Sequence, residues 1–169
     1  IILTVECNMS RNVAMHSSRY DYDNKPGHFA RRFQQHATAA FQTEMEKLGM
    51  DVTPVQYAAL AAIAAKPRID QATLASAIAC DRATINGVVD RLERKGLIER
   101  QICMADRRSR ELTITDAGST MLDKIEPGVE AAQALMTSGL TEREVVQLLR
   151  LLRKAVQHPD DRSHVSLRA

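Results

Sequence analysis

Apolar residues recur at helical spacing in six stretches of this 169-residue chain, and in two short stretches they alternate with polar ones. The first helix is expected from Pro26 to Leu48. Proline suits a first turn, Phe29, Phe33, Ala37, Ala40, Phe41, Met45 and Leu48 form an apolar stripe, and Gly49 supplies the stop. Thr53-Pro54-Val55-Gln56 offers an N-cap, a proline at N1 and a glutamine at N3, with Val52 and Tyr57 placed as a hydrophobic staple. That second helix should run to about Lys66, where Pro67 ends it. Asp70 can cap a short helix through Ala79 and Asp81 another through Lys95, stopped by Gly96.

The helix begun at Asp81 carries Ile85, Val88, Val89 and Leu92 at spacings of three and four. This stripe defines the outward face as Arg82, Ala83, Thr84, Asn86, Gly87, Asp90, Arg91 and Arg94. Leu97 to Ile102 and Glu111 to Ile114 read as two strands joined by the polar turn Ala105 to Ser109. Thr115 caps a long helix with Ala117, Met121, Leu122, Ile125, Val129, Ala132 and Met136 on one face and Pro127 inside, where a kink is expected. Thr141 to Glu144 is a capping box for a last helix, which reaches about Gln157. Its apolar arc of Val145, Val146, Leu148, Leu149, Leu151, Leu152 and Val156 is too wide for a small monomer to bury, so a partner helix is expected.

The fold class that follows is mainly α, with a small β-hairpin wing. Residues 1–25 form an N-terminal extension, 26–50 and 116–158 a helical dimerisation region, 53–115 a winged helix-turn-helix, and 159–169 a polar tail. A second helix aimed outward by a tight turn fits a major groove, and a basic hairpin beside it fits phosphate or a minor groove. Arg82, Thr84, Asn86 and the side-chain-free Gly87 meet the first demand, with Arg91 on the same outward face. Arg107, Arg108 and Arg110 meet the second.

Composition changes this picture little. Hydrophobic residues make up 44%, enough for a packed core, and the formal charge of +2 is uninformative. Its distribution matters more: Arg82 to Arg110 holds eight basic residues against four acidic ones, the footprint of a polyanion partner. No apolar run approaches the ~20 residues of a membrane span, so no membrane partner is expected. Ile1 to Val5 is too short for a signal-peptide core and lacks a basic flank, and the expected location is the cytoplasm. Cys7, Cys80 and Cys103 lack ligand spacing and the five histidines are scattered, so neither a metal nor another cofactor is expected. No nucleophile–base pattern or phosphate loop marks an enzyme.

The run from Asp81 to Arg100 resembles the recognition helix and first wing strand of the MarR (multiple antibiotic resistance regulator) family. Asp106-Arg107-Arg108 with Ile114-Thr115 is similar to the family's wing signature, with Ile where Leu is usual. The resemblance covers roughly Pro26 to Gln157. It implies a homodimer whose first and last helices intertwine, bound to double-stranded DNA at a pseudo-palindromic operator, by default as a repressor. It also implies that Asp106 braces the wing through an ion pair and that Arg108 reaches the DNA.

Pro26 to Phe41, Thr53 to Leu60 and Ile69 to Gln71 are similar to the members that control breakdown of aromatic acids, including nicotinate. That implies a small aromatic carboxylate as effector. His28, Arg31, Arg32, Gln56 and Tyr57 are the candidates for it, an arginine pairing the carboxylate and an aromatic wall selecting the ring. Against this stand ion pairing for Arg31 and Arg32 and a plain staple for Tyr57. Two other readings are weighed: a thiol-based redox-sensing repressor using Cys80 or Cys103, and a winged-helix protein-interaction module without DNA binding. The family's redox sensors carry their cysteine near the start of the first helix, where this chain has none, and the three wing arginines disfavour the interaction module.

Overall fold

The computed structural model describes residues 21–102 and 110–156. Six helices and three strands follow in the order α1 (Pro26–Lys47), α2 (Pro54–Ala65), β1 (Ile69–Asp70), α3 (Gln71–Ala77), α4 (Arg82–Arg94), β2 (Ile98–Ile102), β3 (Arg110–Ile114), α5 (Asp116–Met136) and α6 (Glu142–Val156). The chain divides into two compact units, Ile1–Gln34 and Gln35–Ala169.

In the first unit the described part is the opening of α1 and the residues before it. The His28 ring stands edge-on to Tyr22 at 5.4 Å and to Phe29 at 5.7 Å. Phe29, on the expected apolar stripe, is 55% exposed within the chain. The stripe of α1 buries only Ala40, Phe41 and Met45, all in its C-terminal half, and Leu48 also stays exposed.

The second unit starts and stops its helices through local hydrogen bonds. Thr53 Oγ1 accepts from Gln56 N and Gln56 Oε1 accepts from Thr53 N, both at 3.3 Å, so the capping box is real. Val52 and Tyr57 fall in one apolar cluster, as a staple requires. Asp70 caps α3 by accepting from the amides of Ala72 and Thr73, and Thr141 and Glu144 reciprocate at the start of α6. Gly49 and Gly96 end α1 and α4 in the left-handed region, at φ of 65° and 70°.

The sheet has the order β1-β3-β2, antiparallel throughout. β1 has no counterpart in the sequence reading. It is two residues long, too short for a periodicity to register, and it forms because Ile69 lies opposite Leu112 and both are buried. Arg68 turns the chain into β1 at φ 64°, donates its amide to Leu112 O and pairs with Glu111 at 2.6 Å.

Two apolar clusters divide the interior. One joins α2, α3, α4 and the sheet through Leu60, Ile63, Leu74, Ile85, Val89, Leu92 and Leu112. The other joins α1 and α5 through Phe41, Met45, Ile125 and Val129, with Val52 just before α2 and Tyr57 within it. Met121 and Leu122 of α5 border both. Gly118 permits the approach of α5 to the wing, since a Cβ there would overlap the carbonyl oxygen of Leu97. Pro127 lies inside α5 without ending it. α6 has no buried residue at all: Val146 is 68% and Val156 74% exposed.

Candidate nucleic-acid interface

The pair α3 and α4 is aimed by the turn between them. Ala79 adopts φ 52°, a left-handed conformation that costs a non-glycine residue ~1–2 kcal/mol and is held here by the flanking contacts of Ile78 and Cys80 with the first cluster. Asp81 then starts α4, accepting at 2.9 Å from the amides of both Ala83 and Thr84 and at 2.6 Å from the Thr84 hydroxyl. The hydroxyl and amide of Thr84 hold the Asp81 carboxyl below the usual carboxylate range. Asp81 is therefore a cap. Thr84 spends its hydroxyl hydrogen on that cap and keeps its methyl and both oxygen lone pairs for a ligand.

Ile85, Val89 and Leu92 of α4 are buried, and this orients the opposite face. Arg82, Thr84, Asn86, Gly87 and Arg91 are all exposed, as the stripe predicts. A Cβ built on Gly87 would meet nothing within 4 Å, so the middle of the exposed face is flat and open to close approach. Asn86 is not alone there, because its Oδ1 accepts a hydrogen bond from Gln71 Nε2. Arg110, at the start of β3, is exposed. Arg107, Arg108 and Asp106, the expected brace of the wing, lie outside the described residues.

Sequence reasoning missed two participants. Arg100 on β2 bridges to Asp90 of α4 through its NH2 nitrogen, and its Nε lies 2.9 Å from Glu93 Oε2 as an ion pair without hydrogen-bond alignment. One of the eight basic residues of the segment is thus neutralised, and the first wing strand is tied to the helix it flanks. Gln71 is the other. Neither had a signal in spacing, because each acts on a residue seven to fifteen positions away in a different element. Lys95 plays a similar bracing part, holding Asp51 through both its side chain and its carbonyl.

The effector candidates fall in both units. Arg31 and Arg32 are exposed on α1, and His28 sits between two aromatic rings. Gln56 is 4% exposed, with its acceptor oxygen engaged by the cap of α2. Tyr57 lies 5.9 Å from Phe41, ring to ring, and its hydroxyl donates to Glu126 at 3.5 Å. Burial raises the Tyr57 hydroxyl above its ordinary value, and the carboxylates of Glu126 and Glu130 raise it further. An anionic group is repelled at that end of the ring. Cys80, in the helix-turn-helix, is pushed up by burial and by Asp81, so it rests as a neutral thiol and is a poor nucleophile.

A capped helix with an open polar face, preceded by a tightly turned short helix and followed by the β2–β3 hairpin of a three-stranded sheet, is a winged helix-turn-helix of the DNA-binding kind. Relatives agree with that class and narrow it. The sequence profile of the MarR family matches residues 52–109. The chain is 32% identical over 142 residues to the HTH-type transcriptional repressor NicR of Pseudomonas putida, covering 84% of this chain and 89% of that one. Among solved structures it is similar to the PcaV transcriptional regulator of Streptomyces coelicolor in complex with its natural ligand, with a TM-score of 0.75, 30% identity, and 82% and 96% of the two chains covered. It is also similar to Bordetella bronchiseptica BpsR, whose DNA binding is regulated by 6-hydroxynicotinic acid, with a TM-score of 0.78, 28% identity, and 83% and 99% covered. The protein belongs to the MarR family of transcriptional regulators and is not an enzyme. Among the described residues no helix is long and apolar enough to cross a membrane.

Proposed function

We propose that this regulator is a homodimeric repressor that holds a pseudo-palindromic operator and releases it when a small aromatic carboxylate binds. The observation that carries the DNA half is the exposed N-terminal face of α4, where Arg82, Thr84, Asn86 and Gly87 stand together on a helix whose other side is buried. Such a face reads base edges in a major groove. Arg91, Arg107, Arg108 and Arg110 take the phosphates or the adjoining minor groove, which sets affinity more than sequence. The dimer is supported by α6, whose exposed Val146, Leu149, Leu151, Leu152 and Val156 need an apolar cover. A two-fold dimer places its half-sites about one helical turn apart, roughly 10 bp.

The effector half rests on the kinship with BpsR and NicR and on the cations and rings of the first unit. Arg32 is the preferred partner for the carboxylate, with Arg31 about 100° away around the helix and facing elsewhere. The ligand weakens DNA binding only in so far as it prefers a spacing of the two winged domains that does not match the half-sites. Gel shifts on the DNA flanking its own gene, with and without hydroxylated benzoates and nicotinates, test both halves. Arg108→Ala should weaken binding to every sequence and flatten its salt dependence. Release by none of the acids would discard the effector class. Unaltered release in both Arg31→Ala and Arg32→Ala would keep the class and discard the residues.

A further inference from the structure

Near the start of α4 its exposed face makes a polar contact that neither capping nor core packing requires. Gln71 Nε2 donates to Asn86 Oδ1, joining the first residue of α3 to the outward face of α4. Both backbones are held. Gln71 follows the β1 residue Ile69, which is 3% exposed, and precedes Leu74, which is fully buried. Asn86 follows Ile85, 1% exposed, and precedes the buried Val89. The two amides therefore meet because the two helices are fixed.

An exposed asparagine amide can present either of two chemistries to a groove. With Oδ1 outward it accepts, from adenine N6 or cytosine N4. With Nδ2 outward it donates, to purine N7, guanine O6 or thymine O4. In water the two flips differ little. Here the Gln71 amide engages the Asn86 amide from one side, so Asn86 meets a groove already held. We propose that Gln71 is a positioning residue for specificity: it holds the Asn86 amide in place, and the pair reads one base pair in each half-site as a single unit. The proposal rests on the assignment of Asn86 to base reading made above.

The test uses the full chain and a pool of duplexes with randomised positions, sequenced after selection, with thermal unfolding measured on every variant. Wild type should show a base preference at one base pair per half-site that depends on Asn86. Asn86→Ala should flatten that preference by roughly fivefold to a hundredfold, the range of one good base contact. Gln71→Ala should flatten the same base pair and no other, and adding it to Asn86→Ala should change nothing more, because the two act as one. Gln71→Glu is the sharpest variant. A carboxylate at position 71 can only accept, so Nδ2 of Asn86 donates to it, Oδ1 faces the groove, and bases that donate there, adenine or cytosine, are selected. The added negative charge lowers affinity for all sequences alike, which is separable from a change of preference.

If Asn86→Ala flattens the base pair while both Gln71 variants keep it, the coupling is overturned and the base-reading assignment stands. If Asn86→Ala changes no preference, the assignment fails and the coupling with it. Loss of preference at every position together with a lower unfolding temperature in Gln71→Ala would make Gln71 a merely structural residue and overturn the proposal.

Discussion

Helices α4 and α6 are both amphipathic and both capped by a side chain that satisfies their first amides, Asp81 in one and Thr141 with Glu144 in the other. Their apolar faces have opposite fates. α4 buries Ile85, Val89 and Leu92 within its own chain, whereas α6 buries nothing and leaves Leu149 and Leu151 47% exposed. The contrast separates two sources of order. A helix whose stripe is covered intramolecularly has a stability that belongs to the fold. One whose stripe is uncovered owes part of its stability to what it meets, and that part varies with concentration.

The largest effect that would break this contrast comes from α6. Leu149→Glu with Leu152→Glu should yield a monomer in light scattering at micromolar concentration and abolish operator binding, with the winged domain still folded by circular dichroism. A dimer that persists would show that α6 is not the covering surface. Next comes Ile85→Ala, which removes a side chain that is 1% exposed and should cost about 2–5 kcal/mol in denaturant unfolding, independent of protein concentration. A concentration-dependent loss would blur the two helices into one class.

A smaller effect concerns the tie between the wing and α4. Arg100→Ala leaves Asp90 and Glu93 partly in water, so the stability loss should stay under about 1 kcal/mol. Affinity for all DNA sequences should nevertheless fall several-fold with an unchanged salt slope, because a brace is lost and not a phosphate contact. A flattened slope in filter-binding titrations would instead make Arg100 a DNA ligand.

The smallest effect is acidic. The Thr73 hydroxyl and amide hold Asp70, and those of Thr84 hold Asp81, below the usual carboxylate range. A folded value below the unfolded one means the stabilisation is present above the ordinary range and is lost as pH falls from about 4 through the lowered values. Replacing both with Asn should flatten that acidic limb in thermal melts. The corresponding limb from Glu144, also lowered by Thr141, should remain and mark α6 apart from α3 and α4.

Short-range chemistry is legible in the chain alone. Thr53 with Gln56, Asp70, Asp81, Thr115 and Thr141 were legible as helix starts because a cap acts within three residues of itself. The outward face of α4 followed from the spacing of Ile85, Val89 and Leu92 for the same reason. Tertiary structure decided everything that needed a second element. It made Ile69–Asp70 a strand by laying it against Leu112 and Glu111, left Phe29 exposed though it lies on the α1 stripe, and set Arg100 against Asp90 and Glu93. It also joined Gln71 to Asn86, turning two surface amides into a pair. These contacts depend on which buried faces meet, and the period of one helix carries no record of the helix or strand packed beside it.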